Sequence, residues 1–288
     1  MNMEKTMDRR EQNIRIFFDT EQWYKTTEKL RRSIRRSIAG SKLIPAEVVC
    51  RPSLPEEAGK TVCSVTPERT FAAAVRLAEE NPGCRLGVLN FASATNPGGG
   101  VRSGSSAQEE SLCRCSTLYP VLSSGQFKEG FYDHHRSLQD PMYTDTCIYT
   151  PDIVICKTDT QAPERLPEEK WVRTDVITCA APNLRHIREA EADNSVQSPA
   201  PEQLLSVHIS RARHILSAAS ENGIEIFITG AFGCGAFRND PLICASAWKE
   251  ALKEFDGVFR QVVFAVYCPP RDRTNFEIFR TVLSEKEL

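Results

Sequence analysis

No stretch of the chain approaches the roughly 18 consecutive apolar residues that a membrane-spanning helix needs, so no membrane partner is expected. The charged start, MNMEKTMDRREQN, lacks the apolar core of a secretory signal. An excess of basic residues is also missing: 36 Lys and Arg stand against 38 Asp and Glu, for a net charge of −2. A generic nucleic-acid binder is more basic, and no sequence-specific nucleic acid is expected as a partner. Zinc-ligand spacing is absent. Cys113 and Cys115 form C-x-C, and His134 and His135 follow at a distance, without the usual C-x₂₋₄-C. Neither a G-x-G-x-x-G dinucleotide fingerprint nor a Walker A loop occurs. The expectation is therefore no metal and no cofactor.

What is present begins with length and cysteine. The 288 residues suit one large domain, or one domain with a helical extension. Eleven cysteines is an odd and high count, and they fall mostly inside apolar stretches such as DIVICK, DVITCAA and VFAVYCPP. That usage reads as buried thiols in a reducing, cytoplasmic compartment.

The chain divides near residue 45. Residues 1–45 form a charged, helical extension in which Leu30, Ile34 and Ile38 recur every fourth position, with Arg31, Arg32, Arg35 and Arg36 between them. The basic face is either solvated or apposed to an acidic polymer. From 46 to 288, strands alternate with helices. AEVVCRPS, KTVCSV, RLGVLNFAS, DTCIYTPDIVICK, WVRTDVITCAAPN, IEIFITGAF and QVVFAVYC read as strands. PERTFAAAVRLAEEN reads as a helix with Pro67 in its first turn and a stop at Asn81, Pro82 and Gly83. SSAQEESLCRCSTLYPVL, PEQLLSVHISRARHILSAASEN, PLICASAWKEALKEF and TNFEIFRTVLSE read as further helices. Apolar strands alternating with amphipathic helices predict an α/β sheet covered on both faces.

Two glycine-rich loops each join a strand to a helix. Asn96-Pro97-Gly98-Gly99-Gly100 follows the strand ending near Phe91, and Gly230, Gly233 and Gly235 punctuate ITGAFGCGAFRNDP. Ligands of open α/β sheets bind beyond the carboxyl ends of strands. Glycine lets backbone N–H groups turn toward an anion, and helix N-termini add positive potential. Together the loops predict a diphosphate cradle.

Gln108, Glu109 and Glu110 fall in the first turn of the helix after the first loop. Ser106-x-x-Glu109 has the form of a capping box, and first-turn acids complement the helix dipole. On a helical wheel Gln108 joins Leu112, Cys115 and Tyr119 on the apolar face. Glu110 points almost opposite, either to solvent or into a cleft above the sheet.

The spacing GGG, seven residues, then QEE resembles the signature of poly(ADP-ribose) glycohydrolases, and NFASATNPGGG resembles their microbial type. GAFGCGAFRNDP resembles the second phosphate loop of macrodomains. The resemblance covers roughly residues 45–280, and the basic helical start is also similar to that of microbial members. It implies a macrodomain-like three-layer α/β/α fold with a mixed central sheet, binding ADP-ribose in a crevice. It implies Glu110 as the general acid, Glu109 on the hydroxyls of the ribose being cut, and Asn96 holding that ribose. Gly98, Gly99, Gly100, Gly233, Cys234, Gly235, Ala236 and Phe237 would wrap the diphosphate and ribose, with Gln108 among the substrate-binding residues. Phe276 and Tyr267 are aromatic candidates for the adenine platform by position. The expected partners are poly(ADP-ribose) or ADP-ribosylated proteins, and the expected state is a monomer. Three rivals stand beside this reading: a macrodomain that binds ADP-ribose without cutting it, a hydrolase of another ADP-ribosyl linkage, and a cysteine hydrolase using Cys113 or Cys234.

Overall fold

The computed structural model describes residues 8–47, 59–185, 199–269 and 271–284. Seven strands form one mixed sheet in the order β1-β4-β5-β3-β6-β7-β2. They are β1 (Lys42–Ile44), β2 (Val62–Thr66), β3 (Leu86–Phe91), β4 (Cys147–Ile155), β5 (Val172–Cys179), β6 (Ile226–Thr229) and β7 (Gln261–Ala265). Strands β5, β3, β6, β7 and β2 run parallel, while β4 is antiparallel to both β5 and β1. The central strands are buried on both faces, as their near-continuous apolar runs require.

Nine helices are described: α1 (Arg9–Thr26), α2 (Glu28–Gly40), α3 (Thr70–Glu80), α4 (Gln108–Cys115), α5 (Leu118–Leu122), α6 (His134–Leu138), α7 (Pro201–Glu221), α8 (Pro241–Lys253) and α9 (Thr274–Ser284). One face of the sheet carries α1 to α5, where Val88, Ile226, Ile228 and Val263 meet Phe17, Leu30, Phe71 and Leu112. The opposite face carries α7, α8 and α9, where Leu89, Phe227 and Phe264 meet Ile215, Trp248 and Phe279. This is the three-layer α/β/α arrangement that alternating strands and helices predict.

Several local expectations change. The helical stretch before residue 45 stops at Gly40, and Lys42–Ile44 pairs antiparallel with β4. The strand expected at 46–53 lies almost wholly outside the described residues. Pro67 is not in the first turn of α3, which starts at Thr70. Its Phe71 N–H is instead capped from a distance by Asp159 at 3.0 Å. The helix expected over 105–122 is broken at Ser116, whose extended backbone bridges to Ile155. Thr117 N–H then donates to Val154 O at 3.1 Å, so pairing with the sheet replaces two helical bonds. A π-helical turn, Lys128–Asp133, had no periodicity to announce it. On α2 the arginines do face outward, but Arg31 and Arg35 pair with Glu28 and Arg36 with Asp152. Exposed pairs of this kind add little stability.

Candidate active site

Strands β3 and β6 are neighbours, so the loops leaving their carboxyl ends lie side by side above the sheet. The first loop turns back on itself: Gly99 N–H donates to Asn96 O at 2.9 Å, and Ser103 and Ser105 N–H donate to Gly100 O at 3.0 and 3.1 Å. This brings residues 98–100 over the start of α4. Gly99 has φ +56, and a Cβ there would lie 2.5 Å from Glu110 Oε1 and 3.0 Å from Glu109 Oε2. Glycine is required because the backbone passes directly against the two carboxylates.

The two acids do not cap their helix. The N-cap is Ala107, with no side-chain cap bond, so the Ser106–Glu109 capping box is not formed. Glu109 turns inward instead. Its Oε2 accepts from Ser93 N–H at 2.7 Å and its Oε1 from Asn90 Nδ2 at 3.2 Å. Glu110 Oε1 accepts from Gly100 N–H at 2.8 Å. Its Oε2 is buried with no hydrogen-bond partner. Glu109 is 2% and Glu110 7% exposed, so both carboxyls are buried beneath the first loop and Glu110 does not face solvent. Burial pushes the Glu109 carboxyl up to about 8, and the Glu110 charge adds to the rise. The Ser93 and Gly98 amides and Asn90 work the other way but do not offset burial. Burial thus favours the protonated Glu109 carboxyl at neutral pH.

Gln108 holds the helix to the strand. Its Oε1 accepts from Phe91 N–H at 2.9 Å, and its Nε2 donates to Leu89 O at 2.7 Å and Thr70 Oγ1 at 3.1 Å. Its amide is thus bonded to protein groups on both sides. Asn96 is exposed on the rim of the turn, its amide donating to Thr95 Oγ1 at 3.1 Å.

The second loop is anchored at one end. Asn239 Nδ2 donates to Pro182 O at 2.7 Å and Gly233 O at 3.0 Å, and its Oδ1 lies 2.9 Å from His208 Nε2. Phe237 O accepts from Leu184 N–H at 3.0 Å, and the Phe237 ring is half-buried against the core on the α7, α8 and α9 face. Beyond Gly233 the loop opens. Gly235 and Ala236 are exposed, and a Cβ at Gly235 would meet nothing within 4 Å. Among the described residues no protein acceptor takes the N–H groups of Gly235, Ala236 or Phe237. Cys234 is half-buried.

The two aromatic candidates separate. Phe276 is 5% exposed within the core under α9, and the guanidinium groups of Arg273 and Arg280 lie 4.8 and 5.8 Å from its ring centre. Packing covers nearly all of it. Tyr267 is 42% exposed, with Arg69 4.0 Å from its ring centre. It borders a cavity of about 350 Å³ that also touches Arg9, Ser106 and Ser111.

Cysteine chemistry finds no support in the geometry. Burial and the adjacent Glu109 and Glu110 hold the Cys113 thiol well above its ordinary range. A cysteine–histidine contact that the sequence did not reveal, Cys244 Sγ to His208 Nε2 at 3.6 Å, joins two buried side chains. Burial pushes His208 down to about 4, and the neighbouring Cys234 and burial push Cys244 up. A neutral imidazole beside a protonated thiol is not an activated nucleophile. Among the described residues no three His, Cys, Asp or Glu side chains are grouped to hold a metal ion, and no helix is long and apolar enough to cross a membrane.

Comparison with known proteins agrees with this fold. Residues 15–158 match the model of the microbial-type poly(ADP-ribose) glycohydrolase catalytic domain. No curated protein matches. The X-ray structure of poly(ADP-ribose) glycohydrolase from Thermomonospora curvata is 31% identical with a TM-score of 0.83, covering 95% of this chain and 100% of that one. The same organism's enzyme bound to the inhibitor ADP-HPD is 32% identical with a TM-score of 0.77, covering 94% and 98%. The Deinococcus radiodurans enzyme in complex with ADP-ribose is 35% identical with a TM-score of 0.74, covering 87% and 96%. The family model spans the first glycine loop and the glutamate pair, and the structural matches extend over nearly all the rest. The chain belongs to the microbial-type poly(ADP-ribose) glycohydrolase family.

Proposed function

We propose that this chain hydrolyses the ribose–ribose O-glycosidic bonds of poly(ADP-ribose), releasing ADP-ribose from chain ends, with Glu110 as general acid. The observation that carries the reading is the buried carboxylate pair tied beneath the first glycine loop, with Glu110 Oε2 unpartnered. Glu110 delivers a proton from that oxygen to the leaving ribose oxygen as the anomeric C–O bond breaks. Positive charge develops on an oxocarbenium-like carbon. Water then adds to that carbon and returns a proton to Glu110, restoring the acid. Glu109, aimed by Asn90 and Ser93, contacts the hydroxyls of the ribose being cut. Because Glu109 is raised to about 8, it is mostly protonated at neutral pH and is the store from which its neighbour Glu110 takes the proton it delivers. That leaves less negative charge facing the diphosphate.

The open N–H groups of Gly235, Ala236 and Phe237, with residues 98–100 opposite, support a diphosphate seat between the two loops. Asn96 on the rim contacts the ribose and Phe237 packs against it. The adenosine end extends toward Tyr267, the exposed ring beside the cavity. The free, mostly buried thiols support a reducing, cytoplasmic setting. The reading needs neither metal nor cofactor.

Incubation with poly(ADP-ribose) of defined length tests this. The expected result is ADP-ribose accumulating from the first time points, with the remaining chains shortening gradually. Intact polymer after prolonged incubation overturns the hydrolytic reading. Early mid-length fragments without monomer overturn chain-end release.

A further inference from the structure

We propose that Asn13, on α1, is a positioning residue for the catalytic acid, acting through the turn that joins the glycine loop to α4. This rests on the role assigned to Glu110 above. Helix α1 buries Asn13, Thr20 and Glu21 beside Phe17 and Tyr24. Polar side chains on a buried face must find partners, and here they find them in the active-site segment. Asn13 is 1% exposed, and its Nδ2 donates to Gly104 O at 3.0 Å. One turn earlier, Arg10 Nε donates to Ser103 O at 2.6 Å. Thr20 Oγ1 donates to Arg114 O at 2.6 Å, and Arg114 Nη1 in turn donates to Ser105 O at 2.6 Å. Glu21 Oε1 accepts from Arg102 Nη2 at 2.5 Å.

Gly104 has φ +81, and a Cβ there would collide with the Arg10 carbonyl. The helix and the turn are thus in close contact at the Arg10 carbonyl. The turn passes its position to the acid. Ser103 and Ser105 N–H both donate to Gly100 O, and Gly100 N–H holds Glu110 Oε1. Each link from Asn13 to Glu110 is a hydrogen bond or a single peptide. Displacing the turn moves the Gly100 amide and with it the carboxylate, and small misplacement of a reacting group is costly in rate. The second glycine loop receives none of these bonds, so substrate affinity that depends on it is not expected to change.

The test compares Asn13→Ala with Leu30→Ala, a core truncation on α2, where Leu30 is fully buried. Each is studied in the full chain at a temperature where it is folded. Asn13→Ala is expected to lower kcat on poly(ADP-ribose) about tenfold, with KM and ADP-ribose affinity within about twofold. Amide exchange over residues 98–105 should quicken by a similar factor, with or without substrate. Leu30→Ala is expected to lower the melting temperature at least as much and leave kcat and that exchange unchanged. Wild-type kcat and exchange in Asn13→Ala, or equal losses in Leu30→Ala, would overturn the proposal. If the wild type releases no ADP-ribose, the hydrolytic reading fails, and the exchange comparison still decides whether Asn13 holds the turn.

Discussion

The two glycine loops leave adjacent parallel strands and look alike in composition, yet their glycines answer different needs. In the first, Gly99 makes room for two carboxylates, and Gly100 N–H binds one of their oxygens. That loop is wound inward, and its Gly100 amide serves one of the protein's own acids. In the second, Asn239 pins Gly233 while Gly235 and Ala236 stand open, with N–H groups that meet no acceptor among the described residues. The difference teaches that one loop is tied to the protein's own acids while the other leaves its backbone open. Glycine enrichment alone does not separate a loop that packs against its own side chains from one that packs against a substrate.

The largest expected effect breaks the first loop's function at its acid. Glu110→Gln preserves shape but cannot deliver a proton. Polymer hydrolysis should fall by about 10²–10⁴, while ADP-ribose affinity by calorimetry stays within a few fold. Wild-type turnover in the folded variant would leave the pair as structural groups. Next is Gly99→Ala, whose methyl would meet both carboxylates from a left-handed backbone. Turnover should drop about 10²-fold through displacement of the acids. Unchanged turnover would mean the loop relaxes without moving them.

A pH experiment sharpens the same contrast. Glu109 goes from an ordinary 4.5 to about 8 on folding, so the folded state holds more protons between those values. Its contribution to stability is full below about 4.5 and is lost as pH rises through about 8. Denaturant titrations should show stability falling by up to about 1.4 kcal/mol per pH unit across that window. In Glu109→Gln that slope should disappear, and a slope identical to wild type would place the titration elsewhere. The smallest effect belongs to the second loop. Gly235→Ala keeps the N–H and adds a methyl into open space, so turnover and ADP-ribose affinity should stay within about threefold. A loss as large as that of Gly99→Ala would erase the distinction between the loops.

Much of the architecture was legible in the chain. Strand and helix order followed from apolar runs and their stops, because a parallel sheet buried on both faces leaves an unmistakable hydrophobic pattern. Asp240 before Pro241 marks the start of α8, and its Oδ1 accepts from Leu242 N–H at 2.8 Å. The break at Ser116 was not legible, since it depends on a hydrogen bond to β4, a strand distant in sequence. Asn90, which holds Glu109, and Asn239, which anchors the second loop, left only a faint mark: a polar residue in an apolar strand and an asparagine beside a turn. Phe276 and Tyr267 were equivalent by position, and only packing told the buried ring from the exposed one.

The sequence by itself determined the layers, the place of both loops at strand ends and the resemblance that names the family, because these rest on local periodicity and on motif spacing. Only the tertiary structure decided that the glutamates abandon their helix cap for the Ser93, Asn90 and Gly100 donors, and that α1 grips the turn behind them. Those choices depend on which donors the fold brings within hydrogen-bond reach and on how much water it removes around them, and neither is written in the order of residues along one helix.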